Sequence, residues 1–195
     1  RIRHVQRENA LLARRADRLA LAATTDSLTG LSNRRGLIEI SQSLLRRPGQ
    51  HAVVLLDLDR FKPINDQLGH EAGDFVLAEV GRRLQRHSRT RDVVARLGGD
   101  EFVLLIGQCP ARPELDAMLE RLRLLLDAPI HYREHPLQVS ASIGVALCPD
   151  DGMDLHNLLR AADWAMYGAK QQRNGVRFAA DAPRIEPPTG LMQMP

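Results

Sequence analysis

The hydrophobic residues of this chain follow two spacings, and each spacing predicts a different kind of element. Apolar positions three or four residues apart predict amphipathic helices, whereas short continuous or alternating apolar runs predict strands. The helical spacing covers about residues 37–45, 71–87, 115–126 and 155–171. The strand patterns cover residues 52–58, 93–97, 102–106, 130–132, 137–147 and 176–178. The sequence therefore predicts an α+β fold in which helices flank a central mixed, largely antiparallel sheet.

Two details refine this prediction. Turn-forming residues between 24 and 36 end a first helix, and Ser32 or Asn33 can cap the next one. In the helix at 71–87, the spacing places Phe75 on the buried face. The segment between the strand at 52–58 and this helix is predicted to be a loop.

Residues 1–25 carry a separate pattern, which contains neither Gly nor Pro. A heptad frame places Ile2, Asn9, Ala16 and Ala23 at position a, and Val5, Leu12 and Leu19 at position d. A single Asn at position a favours two parallel helices, because the two amides can pair. We predict that residues 1–25 form a coiled-coil signalling helix through which the chain forms a homodimer. The alternative is an amphipathic helix that packs on its own domain.

Composition and charge limit the classes of protein that the chain can represent. With 195 residues, of which 44% are hydrophobic, the chain can bury one ordinary core. A net charge of +3 and only 4% aromatic residues predict no nucleic-acid surface. The two cysteines lack metal-ligand spacing, and no apolar run reaches the ~18 residues of a membrane span. We therefore expect a cytoplasmic domain, although the full-length protein could be anchored in a membrane upstream.

The two ends of the sequence predict that the chain is a piece of a longer protein. Its first residue is Arg1, and its last residues contain several prolines without hydrophobic periodicity. Residues 181–195 are therefore predicted to be a linker or a disordered tail. The catalytic or binding domain is predicted to occupy residues 26–180.

Acidic residues lie at the ends of two predicted strands. Asp57 ends the strand at 52–58, and Asp100 and Glu101 lie at the tip of the hairpin in RLGGDEFVLL, residues 96–105. Like charges this close repel unless a cation lies between them, and oxygen donors alone favour Mg²⁺ or Mn²⁺. The alternative is that Asp57 caps a helix and that the hairpin is only a tight turn.

Possible partners for a nucleotide follow the first acid. In RFKPIND, residues 60–66, main-chain N–H groups near Phe61 and Lys62 could bind a phosphate. Asn65 and Asp74 offer an amide and a carboxylate to a base. An ionised Asp accepts hydrogen bonds from two adjacent donors, which guanine supplies and adenine does not.

Several stretches of the sequence, in their order and spacing, carry a family resemblance. They are DSLTGLSNRR (26–35), LDLDRFKPINDQLGHEAGD (56–74), RLGGDEF (96–102), SASIGVALCPDDG (140–152) and ADWAMYGAK (162–170). Over about residues 24–180 the chain resembles the GGDEF family of bacterial diguanylate cyclases. The resemblance implies a fold similar to the polymerase palm and to the class III nucleotide cyclases. It also implies that two GTP molecules, on two facing subunits, condense to cyclic di-GMP and pyrophosphate.

The resemblance also implies roles for individual residues. Asp57, the carbonyl of Leu58 and Asp100 would hold metal, with two Mg²⁺ or Mn²⁺ ions per active site. Glu101 would be catalytic, either as the base for the ribose 3′-OH or as a second metal ligand. The residues that would bind substrate are Phe61, Lys62 and Lys170 at the phosphates, Asn65, His70 and Asp74 at the guanosine, and Gly98 and Gly99 where the nucleotide lies against the hairpin.

A regulatory site is implied by the same resemblance. Arg89 and Asp92 match an inhibitory motif that binds the product cyclic di-GMP, with Arg121 or Arg123 as a helper. The alternative is a surface ion pair. The sequence departs from the family at AKQQRNG, residues 169–175, where a glycine is missing and Arg173 comes one position early. A phosphate role for Arg173 is therefore in doubt.

Three functional hypotheses remain open at this point. The chain is an active dimeric cyclase, a catalytically silent module that binds GTP or cyclic di-GMP, or a dimerising scaffold. In each case we expect an upstream sensory domain, and a phosphodiesterase domain is a candidate downstream partner. The combination of metal-binding acids with both guanine contacts favours the cyclase.

Overall fold

The computed structural model of the chain describes residue 15 and residues 18–171 and 175–182. A helical segment at residues 18–24 is followed, within the described residues, by the helices α1 (Arg34–Leu44), α2 (Phe61–Leu68), α3 (His70–His87), α4 (Arg112–Leu126) and α5 (Leu155–Gln171), and by a short 3₁₀ helix (Ala179–Asp181). The strands are β1 (His51–Asp59), β2 (Val93–Gly98), β3 (Glu101–Ile106), β4 (Ile130–Tyr132), β5 (His135–Leu137), β6 (Ser140–Cys148) and β7 (Gly175–Phe178).

The central sheet has five strands in the order β2-β3-β1-β6-β7, while β4 and β5 pair separately. β1 is antiparallel to both of its neighbours, and only β6 and β7 pair in parallel. The predicted α+β class, with a mixed and largely antiparallel sheet, is therefore confirmed. The central position of β1 explains why its sequence HAVVLLDLD is apolar on both faces until its acidic end.

Two hydrophobic clusters cover the two faces of the sheet. One includes Leu56 and Phe102 and packs against α2, α3 and α4. The other includes Leu55 and Val103 and packs against α1 and α5. Because alternate residues of a strand point to opposite faces, Asp57 follows Leu55 and faces the α5 side. Only a helix on that face of the sheet, such as α5, can therefore bring a side chain to Asp57.

Three local predictions are wrong. The predicted loop after β1 contains the helix α2, which starts directly behind Arg60 in a left-handed conformation with φ of 63°. The predicted strand at 137–147 is divided between β5 and β6, which belong to different sheets. Phe75 is 39% exposed, because its ring lies 5.3 Å from the ring of Tyr132 instead of entering the core.

The remaining predictions concern the cap of α1 and the two ends of the chain. Asn33 caps α1 by accepting a hydrogen bond from the N–H of Gly36 at 3.0 Å. Leu19, the one heptad d position within the described residues, is exposed. The heptad positions up to Ala16, together with Arg173 and the prolines of the predicted tail, lie outside the described residues. In the part of the chain that the structure describes, no helix is long and apolar enough to cross a membrane.

Gly144 of β6 lies directly against the main chain of α5. A Cβ atom at this position would lie 1.9 Å from the carbonyl oxygen of Ala162 and 2.5 Å from the nitrogen of Met166. These are main-chain atoms that cannot move without moving the helix. We expect Gly144→Ala to lower the free energy of unfolding by about 1–3 kcal/mol, measured by urea denaturation.

Gly175→Ala is the matched control for this prediction. A Cβ atom at residue 175 would meet no described heavy atom within 4 Å. The free energy of unfolding of this variant should therefore stay within about 0.5 kcal/mol of that of the parent chain. Equal stability of the two variants would show that the contact between β6 and α5 is looser than the structure indicates.

Candidate active site

The acidic residues of β1 and β3 meet at one end of the sheet. Asp57 and Glu101 are directly opposite each other in the antiparallel pair. The N–H of Leu58 donates to the carbonyl oxygen of Asp100 at 3.3 Å, which joins the end of β1 to the hairpin tip. Asp57 is thus a neighbour of Asp100 and Glu101 in the fold, although they are more than forty positions apart along the chain.

The hairpin tip depends on the conformations of its two glycines. Gly98 has φ of 141° and Gly99 has φ of 53°, values that other residues adopt only with strain. A Cβ atom at either position would meet no described heavy atom within 4 Å. Within the described protein, backbone conformation rather than crowding is therefore what requires glycine at this tip.

Three carboxyl groups near this end of the sheet, those of Asp57, Glu101 and Asp163, have raised pKa values, and burial is the largest cause in each case. Burial raises the pKa of Asp57, and the nearby Asp100 adds to this effect, while the ammonium group of Lys170 opposes it. The pKa of Glu101 is raised by burial first and then by Asp57 and Asp163. Asp163, on α5, also has a raised pKa because of burial. A cation placed among these groups would remove much of the repulsion.

The donor set predicted for a metal consists of two carboxylates and one main-chain carbonyl. Asp57 is half-buried, and Asp100 lies beside it through the bond to Leu58. Among the residues that the structure describes, no group of three or more His, Cys, Asp or Glu side chains is arranged to hold a metal ion. The oxygen-only set with its mutual repulsion nevertheless fits a hard cation such as Mg²⁺ or Mn²⁺.

Asp59 is a further carboxylate at this end of β1, and the sequence analysis did not select it. The hydroxyl of Ser142, which is fully buried, donates to both of its oxygens, at 3.0 and 3.1 Å. Ser140 also donates to Asp59, at 3.4 Å. The two serines alternate along β6 and face Asp59 across the pairing of the strands. The hydroxyl groups in this otherwise apolar strand were the sequence signal for such a contact.

The groups predicted to bind phosphate lie at the start of α2 and near the end of α5. Phe61 is buried and Lys62 is exposed at the start of α2, where the first N–H groups of the helix have no side-chain cap among the described residues. The free N–H groups and the dipole of a helix N-terminus favour an anion. Lys170, near the end of α5, has its Nζ atom 2.9 Å from Oδ1 of Asp57.

The residues predicted to bind guanine lie where α2 meets α3. The Oδ1 atom of Asn65 is buried and has no hydrogen-bond partner within the described part of the chain. A Cβ atom at Gly73 would lie 1.9 Å from that oxygen, so only glycine leaves the amide in this position. His70 and Asp74 are exposed on the first turns of α3. An unpartnered buried acceptor is costly unless a ligand supplies a donor.

The predicted regulatory pair forms a turn at the end of α3. Asp92 accepts a hydrogen bond from the main-chain N–H of Arg89 at 2.9 Å, and its other oxygen is buried without a partner among the described residues. The side chain of Arg89 is exposed. Of the two proposed helpers, Arg123 binds Glu120 and Asp127, whereas Arg121 is exposed.

Arg96 connects the hairpin to the beginning of the domain, and the sequence analysis missed it. Its Nε and Nη2 atoms donate to the carbonyl oxygen of Gly99 at 3.0 and 2.8 Å. Its Nη1 atom lies 3.1 Å from Oδ2 of Asp26. Burial alone would raise the pKa of Asp26, but hydrogen bonds from Thr29 and the charge of Arg96 lower it overall. The guanidinium therefore holds together two segments that are distant in sequence.

Comparisons with known proteins identify relatives over most of this chain. A family model described as diguanylate cyclase, GGDEF domain, matches residues 23–175. The bifunctional diguanylate cyclase/cyclic di-GMP phosphodiesterase MucR of Pseudomonas aeruginosa is 44% identical over 174 residues, which cover 86% of this chain and 25% of MucR. Diguanylate cyclase TpbB of the same species is 39% identical over 93% of this chain and 42% of TpbB. The chain therefore spans less than half the length of these relatives.

Solved structures give the same result for the fold. The coiled coil and GGDEF domain of DgcB from Caulobacter crescentus, solved in complex with c-di-GMP, matches with a TM-score of 0.80 at 26% identity. The match covers 91% of this chain and 97% of the DgcB chain.

Proposed function

The chain belongs to the GGDEF domain family of diguanylate cyclases, and from this premise we propose that it condenses two GTP molecules into cyclic di-GMP and two pyrophosphates. The observation that carries the proposal is the cluster of Asp57, Asp100 and Glu101 at one end of the sheet. This cluster combines mutually repelling carboxylates with phosphate-binding groups on α2 and α5. A module that only binds nucleotide does not need such a costly group of charges.

The guanine contacts support GTP as the substrate. The buried Oδ1 atom of Asn65 is an acceptor for the exocyclic amine of guanine, and Asp74 can accept from the amine and N1–H. Adenine has no amine at that position and no N1–H, so it would leave Oδ1 without a donor. His70 lies on the same turn of α3 and completes the proposed guanosine site.

The chemistry divides between the carboxylates and the cationic groups. Asp57, the carbonyl of Leu58 and Asp100 would hold Mg²⁺ or Mn²⁺, which activates the attacking hydroxyl and neutralises charge on the leaving pyrophosphate. Glu101 has a raised pKa and is therefore a better proton acceptor than an ordinary glutamate, which supports its role as base for the 3′-OH. Lys62, Lys170 and the N-terminus of α2 would hold the triphosphate in line with that hydroxyl.

The reaction requires two subunits, because each domain holds one GTP and the product contains both. We propose that residues 1–25 form the dimerising helix, residues 26–180 the catalytic domain and residues 181–195 a linker. Product inhibition through Arg89 and Asp92 is part of the proposal, since the exposed guanidinium and the unpartnered oxygen of Asp92 are suited to a guanine nucleotide. We also propose that the full-length protein has an upstream sensory domain, and a phosphodiesterase domain is the candidate downstream partner.

The test is to incubate the purified chain with GTP and Mg²⁺ at several protein concentrations and to measure pyrophosphate and cyclic di-GMP together. We expect the turnover per subunit to increase with protein concentration, because the two half-sites must meet. ATP should give no corresponding dinucleotide. GTP binding without product at any concentration would contradict the proposal and favour a catalytically silent binding module.

A further inference from the structure

We propose that Lys170 competes with the divalent ion for Asp57 and that the bound triphosphate relieves this competition. The proposal rests on the function proposed above, and it concerns how metal and nucleotide influence each other's binding. The observation behind it is the ion pair between Nζ of Lys170 and Oδ1 of Asp57, at 2.9 Å.

The competition follows from the position of the ammonium group. A cation that is bound to Oδ1 of Asp57 would approach Nζ to within a few ångströms, and two positive charges at that separation repel strongly in a half-buried site. The Asp57 side chain is only 15% exposed, so water screens this repulsion poorly. While Lys170 stays at Oδ1, Asp57 therefore binds a metal ion less tightly.

A metal ion cannot easily bind the neighbouring carboxylate Asp59 in place of Asp57. The two oxygens of Asp59 share the single hydroxyl hydrogen of Ser142, which is fully buried, and Oδ2 also accepts from Ser140. Rotating Asp59 toward a metal ion would leave that hydroxyl without an acceptor, which is costly in a buried position. Asp57 is therefore the residue of β1 for which lysine and metal compete.

The side chain of Lys170 can move, whereas its helix cannot. The lysine side chain is 39% exposed and lies one residue before the end of α5. The middle of α5 is fixed by the contact between Gly144 and the main chain of Ala162 and Met166. A triphosphate at the N-terminus of α2 carries several negative charges, so it can attract the ammonium group away from a single carboxylate.

The competition has a thermodynamic consequence. If a triphosphate removes Lys170 from Asp57, the nucleotide increases the affinity for the metal ion, and by linkage the metal ion increases the affinity for nucleotide to the same degree. This coupling adds to the direct contact between metal and phosphate. When no nucleotide is bound, Lys170 would stay at Asp57 and balance the charge of that carboxylate.

The experiment measures Mn²⁺ binding to the full chain without nucleotide, from the electron paramagnetic resonance signal of free Mn²⁺. We expect Lys170→Met to bind Mn²⁺ about three- to tenfold more tightly than the parent chain, as loss of a partly screened charge contact predicts. With a saturating non-hydrolysable GTP analogue, this gain should disappear. Lys170→Gln, which keeps a polar side chain, should behave in the same way.

Lys62→Met is the matched control. It removes one positive charge near the same site, but Lys62 is exposed and forms no ion pair with Asp57 among the described contacts. Its Mn²⁺ affinity without nucleotide should therefore change less than twofold. Unchanged or weaker Mn²⁺ binding by both Lys170 variants would overturn the proposal, and so would an equal gain in Lys62→Met. This experiment measures Mn²⁺ binding and no turnover, whereas the cyclase proposal is tested by product formation. Either proposal can therefore fail without the other.

Discussion

Replacing Glu101 with glutamine is expected to reduce cyclic di-GMP synthesis by about 100- to 10,000-fold, the range that a positioned acid or base contributes. The same substitution should raise the melting temperature at neutral pH by about 1–3 °C. Folding raises the pKa of Glu101 through burial and the nearby Asp57 and Asp163, so the ionised group destabilises the fold. Glutamine removes this cost and keeps the shape of the side chain.

The pH dependence of this effect has a defined sign. At pH values below the ordinary glutamate pKa of 4.5, Glu101 is protonated in both the folded and the unfolded chain, and its cost disappears. The stabilisation of Glu101→Gln should therefore be present at pH 7 and lost as the pH falls below that value. Differential scanning calorimetry at both pH values, with cyclic di-GMP measured in parallel, tests the two effects together.

Glu134→Gln supplies the control, because Glu134 is exposed in the turn between β4 and β5. This variant should keep both activity and melting temperature. Full activity in Glu101→Gln would exclude Glu101 from the mechanism, whether as base or as metal ligand. A lower melting temperature would show instead that Glu101 forms a stabilising contact.

Replacing Arg96 with methionine is expected to lower the free energy of unfolding by about 2–3 kcal/mol and turnover by about 10- to 100-fold. The side chain is 13% exposed and its partner Asp26 is 19% exposed, so the substitution takes the cation away from a mostly buried carboxylate, which keeps only the hydrogen bonds from Thr29. It also removes both guanidinium donors from the carbonyl of Gly99. The loss in turnover has a geometric cause, because Gly99 directly precedes the acidic pair of the hairpin.

The stability difference should depend on pH through Asp26. The folded-state pKa of Asp26 is lowered, so its ionised form stabilises the fold above the ordinary aspartate pKa of 3.8. Urea denaturation should therefore show the full difference between Arg96→Met and the parent at pH 7, and a smaller one as the pH falls below 3.8. Arg35→Met, which removes an exposed pair with Glu39, should change stability by less than about 0.5 kcal/mol. Equal effects of the two arginine substitutions would contradict the structural role of Arg96.

The fold class and the acidic centre of the site could be predicted because their signals are local. Asp57 ends a continuous apolar run, and Asp100 and Glu101 interrupt another, so both lie at strand ends whatever the rest of the fold. The antiparallel pairing of β1 with β3 then places Asp57 opposite Glu101. The phosphate and guanine residues were selected through family resemblance together with the chemistry of their side chains.

The remaining features depend on contacts between distant residues. Arg96 and Asp26 are 70 positions apart, and Asp59 and Ser142 are 83 apart, and no periodicity reports such pairs. α2 was missed because it is only eight residues long and contains Pro63, which usually marks a turn. Phe75 fits the apolar face of its helix, but the separate β4–β5 hairpin supplies Tyr132 as a partner outside the core. Tertiary contacts therefore decided the cases in which local pattern failed.

The close contact between Gly144 and α5 also has an evolutionary consequence. Met166 touches β6 directly, and Lys170 lies one helical turn beyond it. The position of Lys170 along the sheet is thus set from the centre of the helix and not by the connection at 149–154 that leads into it. We expect insertions or deletions in that connection to leave the lysine in place. We therefore expect that the length of this loop can vary among related sequences without displacing their catalytic end.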